Sequence, residues 1–147
     1  METQNILLTK IGITHIIFSN MKKRLLWLDD IRNPFVVGMD WWFTIQYLKE
    51  EYLKIDDEEC EIIWVKTQPE FEKYIIQNGL PDFISFDNDL GVGNGEGYSC
   101  AKFVIDYCLD HNMYLPGYYV HSMNTVARDN INNLFENFKE IFQNGND

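Results

Sequence analysis

Basic residues are scarce in this sequence: 12 Lys and Arg stand against 23 Asp and Glu, for a formal net charge of −11. A surface of that sign repels polyphosphate, which argues against a duplex-coating or membrane-surface protein. A local pocket can still oppose the global field around a small anion. Cysteine is sparse too. Cys60, Cys100 and Cys108 are an odd count with no CxxC or Cys/His metal spacing, so neither a disulfide framework nor a zinc finger is encoded. A reducing, cytoplasmic setting is expected. No apolar run is long enough to cross a bilayer, since Ile6 to Phe18 is interrupted by Lys10 and His15 and lacks a basic lead-in. Repeats, low-complexity tracts and internal linkers are missing as well.

What is present is core material. The 147 residues are 46% hydrophobic and 15% aromatic, which suits one ordinary domain and excludes global disorder. Met21-Lys-Lys-Arg reads like a natural start directly before a strand. Residues 1–20 are therefore expected to be a peripheral extension, with an alternative start as one origin, and a single domain to run over 21–147. Asp56 to Glu59 reads as a solvated turn.

Strand-like and helix-like patterns alternate along that domain. Leu25 to Leu28, Glu61 to Val65, Phe83 to Phe86 and Gly117 to Val120 are short apolar runs of the kind buried on both faces. Trp41, Ile45, Leu48, Tyr52 and Ile55 recur at helical spacing and predict a helix over about 41–54. Thr67 and Glu70 form a capping-box pair ahead of Phe71, Tyr74 and Ile75. Ala101, Val104, Ile105, Cys108 and Leu109 mark a third helix. Ile131, Leu134, Phe135, Phe138, Ile141 and Phe142 mark a last one. This alternation predicts an α/β fold, a three-layer α/β/α sandwich on a parallel sheet with right-handed crossovers.

Polar chemistry gathers where those strands end. Asp29, Asp30 and Arg32 follow the first, Asp87, Asn88 and Asp89 the third, and His121, Ser122 and Asn124 the fourth. In open parallel sheets ligands bind beyond the carboxyl ends of the strands, near the point where strand order reverses. Asp29, Asp30, Asp87 and Asp89 are candidate ligands for a hard divalent cation such as Mg²⁺; helix or turn capping is the alternative, above all for Asp89. His121 is a candidate general acid or base. Ser122, Asn124 and Arg32 are candidates for phosphate oxygens; Arg32 is equally suited to an ion pair with the neighbouring acids. Arg128 is a weaker candidate for the same rim. Trp41, Trp42 and Phe43 offer either core packing or a wall for a base. The glycines at 91, 93, 95 and 97 match neither a calcium loop nor GxGxxG, and leave a Gly-rich turn.

LLWLDDIRNP, FISFDNDLG with its following GY, and YVHSMN together resemble the cyclic-phosphate processing receiver domains, collinearly over roughly Lys22 to Phe142. The resemblance implies a flavodoxin-like, receiver-derived fold and a role in hydrolysing or otherwise processing cyclic phosphates on nucleotides or RNA ends. Asp29, Asp30, Arg32, Asp87, Asp89, His121, Ser122 and Asn124 are the matching positions. Ordinary response-regulator receivers are similar in the acidic pair, the central Asp and the hydroxyl after strand four, so Asp87 would there be a phosphoacceptor and Ser122 a switch residue. They continue to a fifth strand ending in Lys, and the reading here is truncated after the last helix. That departure, and the His beside Ser122, count against a conventional phosphorelay.

The expectation is a metal-assisted phosphoesterase with catalytic Asp87, His121 and Ser122. Attack by water and attack by Asp87 both stay open. A phosphoacceptor signalling receiver and a non-catalytic nucleotide-binding module are the alternatives.

Overall fold

The computed structural model describes residues 22–54 and 59–144. The expected extension over 1–20 and most of the acidic run that starts at Asp56 lie outside the described residues. The strands are β1 (Lys23–Leu28), β2 (Cys60–Val65), β3 (Phe83–Phe86) and β4 (Gly117–Val120). The helices are α1 (Asp40–Tyr47), α2 (Gln68–Asn78), α3 (Gly97–His111) and α4 (Thr125–Phe138). All strand pairs are parallel, in the order β2-β1-β3-β4. This is the flavodoxin-like order through its fourth strand, and it reverses between β1 and β3.

Strand alternation sorts the core into two faces. Leu26, Leu28, Ile84 and Phe86 pack with Phe71 and Ile75 of α2, Val104 of α3 and Ile131 and Phe135 of α4. Leu25, Trp27 and Phe83 pack with Ile45 and Leu48 on the opposite face. All four β3 residues are buried, as expected of a central strand between two helical layers. The α/β/α sandwich follows, with one layer built on α1 alone among the described residues.

Local chemistry sets the boundaries. The Thr67 hydroxyl accepts the Glu70 N–H at 3.2 Å, while the Glu70 carboxylate takes the Lys66 N–H at 2.8 Å. The return bond therefore falls one residue before the usual capping box. Asn124 caps α4 by accepting the Ala127 N–H at 3.0 Å.

Two helices depart from the expected periodicity. The helix predicted over 41–54 is α-helical only to Tyr47 and continues as a π-helix over Leu48–Leu53. Likewise α4 passes into a π-helix over Lys139–Asn144. The wider turn rotates the later side chains off the apolar stripe. Ile141 and Phe142 are accordingly exposed, and Leu109 also faces solvent near the end of α3.

Cys100 and Cys108 are buried free thiols, and Cys60 is half-buried. Burial pushes the Cys108 thiol up to about 11, so it packs as a small apolar group. No helix among the described residues is long and apolar enough to cross a membrane.

Candidate metal centre

The sheet ladder itself carries the site residues. Asp29 N–H donates to the Val65 carbonyl, Asp87 N–H to Leu28 and His121 N–H to Phe86, at 3.1, 2.9 and 2.9 Å. Each site residue thus stands one rung past its strand, held by the neighbouring strand. Asp29 and Asp87 flank the β1/β3 reversal, where an open parallel sheet leaves its crevice.

Asp29, Asp30 and Asp87 each present a carboxylate oxygen within 4.8 Å of the others'. They line a cavity of about 290 Å³ together with Ile31, Arg32, Trp41, Asp89 and Met123. Asp89 shares the cavity but stands outside the three-carboxylate group. It accepts the Asn88 side-chain amide at 3.1 Å.

The carboxylates differ sharply in their partners. Asp29 is fully buried; its Oδ1 accepts the Ile31 and Arg32 N–H groups at 2.9 and 2.7 Å. Its Oδ2 accepts from Arg32 Nη1 and His121 Nε2, both at 3.0 Å. Burial alone raises its pKa, but these hydrogen bonds outweigh burial and hold it at about 2. Asp87 Oδ1 accepts only the Asn88 N–H at 2.8 Å among the described residues, and its Oδ2 lies 3.9 Å from Arg32 Nη1. Burial and the adjacent Asp29 charge push Asp87 up to about 6. Arg32 therefore sits between the two acids as the local counter-charge, its side chain 30% exposed to the cavity.

His121 stands differently from the general acid or base expected of it. Its ring is stacked on Trp27 with centroids 3.9 Å apart and planes 2° from parallel. Both nitrogens are engaged, Nε2 with Asp29 and Nδ1 with Ser85 Oγ at 2.7 Å. Burial holds its pKa below the ordinary histidine value, against the attraction of Asp29. Because the ionised Asp29 can only accept, Nε2 carries the proton and Nδ1 accepts from the Ser85 hydroxyl. In this rotamer the imidazole has no nitrogen free for a substrate and is not part of the cavity wall. Its position orients Asp29.

The phosphate candidates divide. Arg32 faces the cavity. Ser122 is buried, its Oγ accepting the Asn124 N–H at 3.1 Å, and Asn124 Oδ1 is spent on capping α4. Arg128 lines a different groove beside β4. Trp41 is half-buried at the cavity, while Phe43 is exposed. The Gly-rich turn is folded on itself, Asn94 N–H donating to Gly91 and Asn94 O accepting from Gln68 N–H. Gly97 serves close packing, since a Cβ there would lie 1.9 Å from the Asp87 carbonyl oxygen.

Three features of the site escape the sequence pattern. Ser85 was hidden in an apolar strand, where a lone hydroxyl is itself a signal of a buried polar partner. Asn88 stands among the strand-end residues, but its role is not legible there: it ties the start of α3 to the end of β3 by accepting the Tyr98 N–H at 3.0 Å. Three indoles hold the loop after β1: Trp64 donates to the Asp29 carbonyl, Trp27 to Arg32 and Trp41 to Asn33, at 2.7, 2.9 and 2.7 Å.

A family model described as "Cyclic-phosphate processing Receiver domain" matches residues 24–137. Among solved structures, the response regulator domain of Thermotoga maritima CheB is 15% identical over 81% of this chain and 95% of its own, with a TM-score of 0.39. The phosphorylated cyanobacterial phytochrome response regulator RcpA is 14% identical over 80% and 92%, with a TM-score of 0.39. A fusion carrying the yeast Spc42 trimeric coiled coil is 16% identical over 76% of this chain, with a TM-score of 0.46; the chain spans 63% of that fusion. No curated protein gives a significant match.

Proposed function

The chain belongs to the cyclic-phosphate processing Receiver domain family, and from that premise we propose that it is a metal-assisted phosphoesterase acting on a cyclic phosphate of a nucleotide or RNA end. The observation that carries the reading is the meeting of Asp29, Asp30 and Asp87 around one cavity with Arg32 beside them. Three hard oxygen donors suit Mg²⁺ or a similar divalent ion, and the raised pKa of Asp87 marks a site short of positive charge. A bound divalent ion there neutralises phosphoryl charge and makes coordinated water more acidic.

The chain's own residues supply the remaining work. Asp29 stays ionised, fixed by His121 through Nε2–H and by the loop amides. Ser85 fixes the imidazole tautomer in turn, so His121 acts as a positioning residue. Arg32 is the cationic fork facing the cavity, suited to two phosphate oxygens. Asp87 Oδ2 is the least engaged buried carboxylate oxygen and is the group to orient water or to attack phosphorus directly. Direct attack forms an aspartyl phosphate as the ring P–O bond breaks; the ribose oxygen leaves and takes a proton from solvent, and water then hydrolyses the acylphosphate. Ser122 and Asn124 set the start of α4, whose N-terminal dipole favours an anion on that rim. Trp41, Ile31 and Met123 give the cavity apolar walls for a nucleoside.

A signalling receiver phosphorylated on Asp87 is the second reading, favoured by the same strand order and the same lightly engaged Oδ2. One panel separates them: 2′,3′-cyclic nucleotides and cyclic-phosphate RNA ends with and without Mg²⁺, against Asp87→Asn and Arg32→Ala. Mg²⁺-dependent ring opening lost in both variants supports the esterase. No product on any substrate, with a stable acylphosphate on Asp87 from acetyl phosphate, overturns it in favour of signalling.

A further inference from the structure

The cavity at the carboxyl rim is short of cations in a way that limits what it can hold. Among the described residues, Arg32 is the only Lys or Arg that lines it, against the carboxylates of Asp29, Asp30, Asp87 and Asp89. Four carboxylates and one guanidinium make a formal −3, which a divalent ion reduces to −1. Glu96 brings another carboxylate to the same rim, since its backbone pairs with Asp89 in an antiparallel bridge. Cations elsewhere have other work. Lys23 and Arg24 serve the amino rim, Arg128 lines the groove beside β4, and Lys139 pairs with Glu136. Lys66 and Lys102 lie over the rings of Trp64 and Tyr98. The rest of the cavity wall is apolar, formed by Ile31, Trp41 and Met123. Its volume of about 290 Å³ lies near the lower bound of pockets that enclose one small ligand.

Resting on the phosphoesterase reading of this centre, we propose that its substrate is a cyclic mononucleotide with a single negative charge, and that an RNA end is disfavoured. One phosphate meets the ion and the Arg32 fork. Each further phosphate of a chain meets carboxylates or apolar side chains along this wall, in a protein of formal net charge −11. Proteins that hold a polynucleotide track its backbone with Lys and Arg, and the described rim carries no such track. The repulsion needs no contact. Charges act on one another over a Debye length, about 10 Å at 0.1 M salt, so Asp89 and Glu96 oppose a second phosphate without touching it. What the wall lacks therefore sets a limit of one charge on what it accepts.

Turnover with Mg²⁺ is to be compared for adenosine 2′,3′-cyclic phosphate, its 5′-phosphorylated form and a short oligoadenylate ending in the same cyclic phosphate. At about 20 mM salt kcat/KM should drop about fivefold with the 5′-phosphate and about tenfold in the oligomer, and both gaps should shrink at about 300 mM. The Glu96 side chain does not cap α3, so Glu96→Gln should leave mononucleotide turnover unchanged and narrow the gap. Met123 is 80% exposed on the cavity wall, and Met123→Lys should narrow it most. Oligomer turnover equal to or above that of the mononucleotide at low salt overturns the proposal, as does a gap indifferent to salt. A binding measurement needs no turnover. The probe 2′-deoxyadenosine 3′-methyl phosphate has one charge and no ring to open, and the methyl NMR signals of Ile31 and Met123 report its binding. With Mg²⁺ it should bind about tenfold more tightly than the same unit extended at its 5′ side by several nucleotides. That order without any turnover sinks the esterase reading and leaves the charge limit standing. The reverse order, or no binding of either ligand, sinks the charge limit itself.

Discussion

The sheet has two rims, and each is organised around one arginine. At the amino rim Arg24 donates to the Tyr74 hydroxyl and to the Asn78 and Leu80 carbonyls, while Asp82 takes the Arg24 N–H and pairs with Lys23. Cations and acceptors are balanced there, and the cluster stitches β1 to the end of α2. At the carboxyl rim Arg32 faces Asp29 and Asp87, with Asp30 beside them. One cation meets three carboxylates. The difference separates a polar cluster whose charges balance from one left short of positive charge: the first is satisfied, and the second leaves an acid at about 6.

Asp29→Ala should give the largest effect. It strands the buried His121 donor and the two loop amides and takes the partner from half-buried Arg32, so urea unfolding should show a loss of about 3–4 kcal/mol. Asp29→Asn keeps the shape and should lose cation binding by titration with a smaller loss of stability. Next is Arg24→Ala, expected to cost about 2 kcal/mol through two orphaned carbonyls and lost packing. Turnover should be unchanged in that variant. An activity loss as large as that of Arg32→Ala would erase the contrast between the rims.

Asp87→Asn sharpens the contrast through pH. Its folded pKa of about 6 lies above the ordinary 3.8, so the folded state holds more protons in that interval. Ion-free stability should therefore fall as pH rises from about 4 to 6 and level off above it. Asp29 acts oppositely, its contribution being present above 3.8 and lost as pH falls towards 2. At pH 8 Asp87→Asn should stabilise the ion-free protein by about 1–2 kcal/mol, a gain that vanishes near pH 4. Mg²⁺ should raise the wild-type melting temperature above pH 6 and do little below pH 5; a pH-independent response would contradict the assignment. The smallest effect is that of Ser85→Ala, about 1 kcal/mol, from leaving His121 Nδ1 unpaired.

Four apolar runs, three of them ending in the polar residues of the site, made the sheet legible, because a strand covered on both faces cannot hide its composition. The acids were legible for the same reason: Asp29 and Asp87 stand one rung beyond such runs. What stayed illegible depends on tertiary partners. Nothing local tells that His121 lies flat on Trp27 with both nitrogens engaged, since those partners are 36 and 92 residues away. Nor does periodicity foretell an α-helix loosening into a π-helix at Leu48 or Lys139. Trp27 and Trp64, within apolar strands, and Trp41, open to core packing or a base wall, all hold the site loop by their indole N–H groups.

The stack of Trp27 on His121 also places a fluorophore against the site. A protonated imidazole quenches indole emission more strongly than a neutral one, and at 3.9 Å the rings are in van der Waals contact. Emission from Trp27 therefore reports the charge on His121, and through it the state of the Asp29 carboxylate. With Trp42 replaced by Phe, and Trp41 and Trp64 kept because they hold the site loop, a change in this emission on adding Mg²⁺ would report ion loading at the proposed centre.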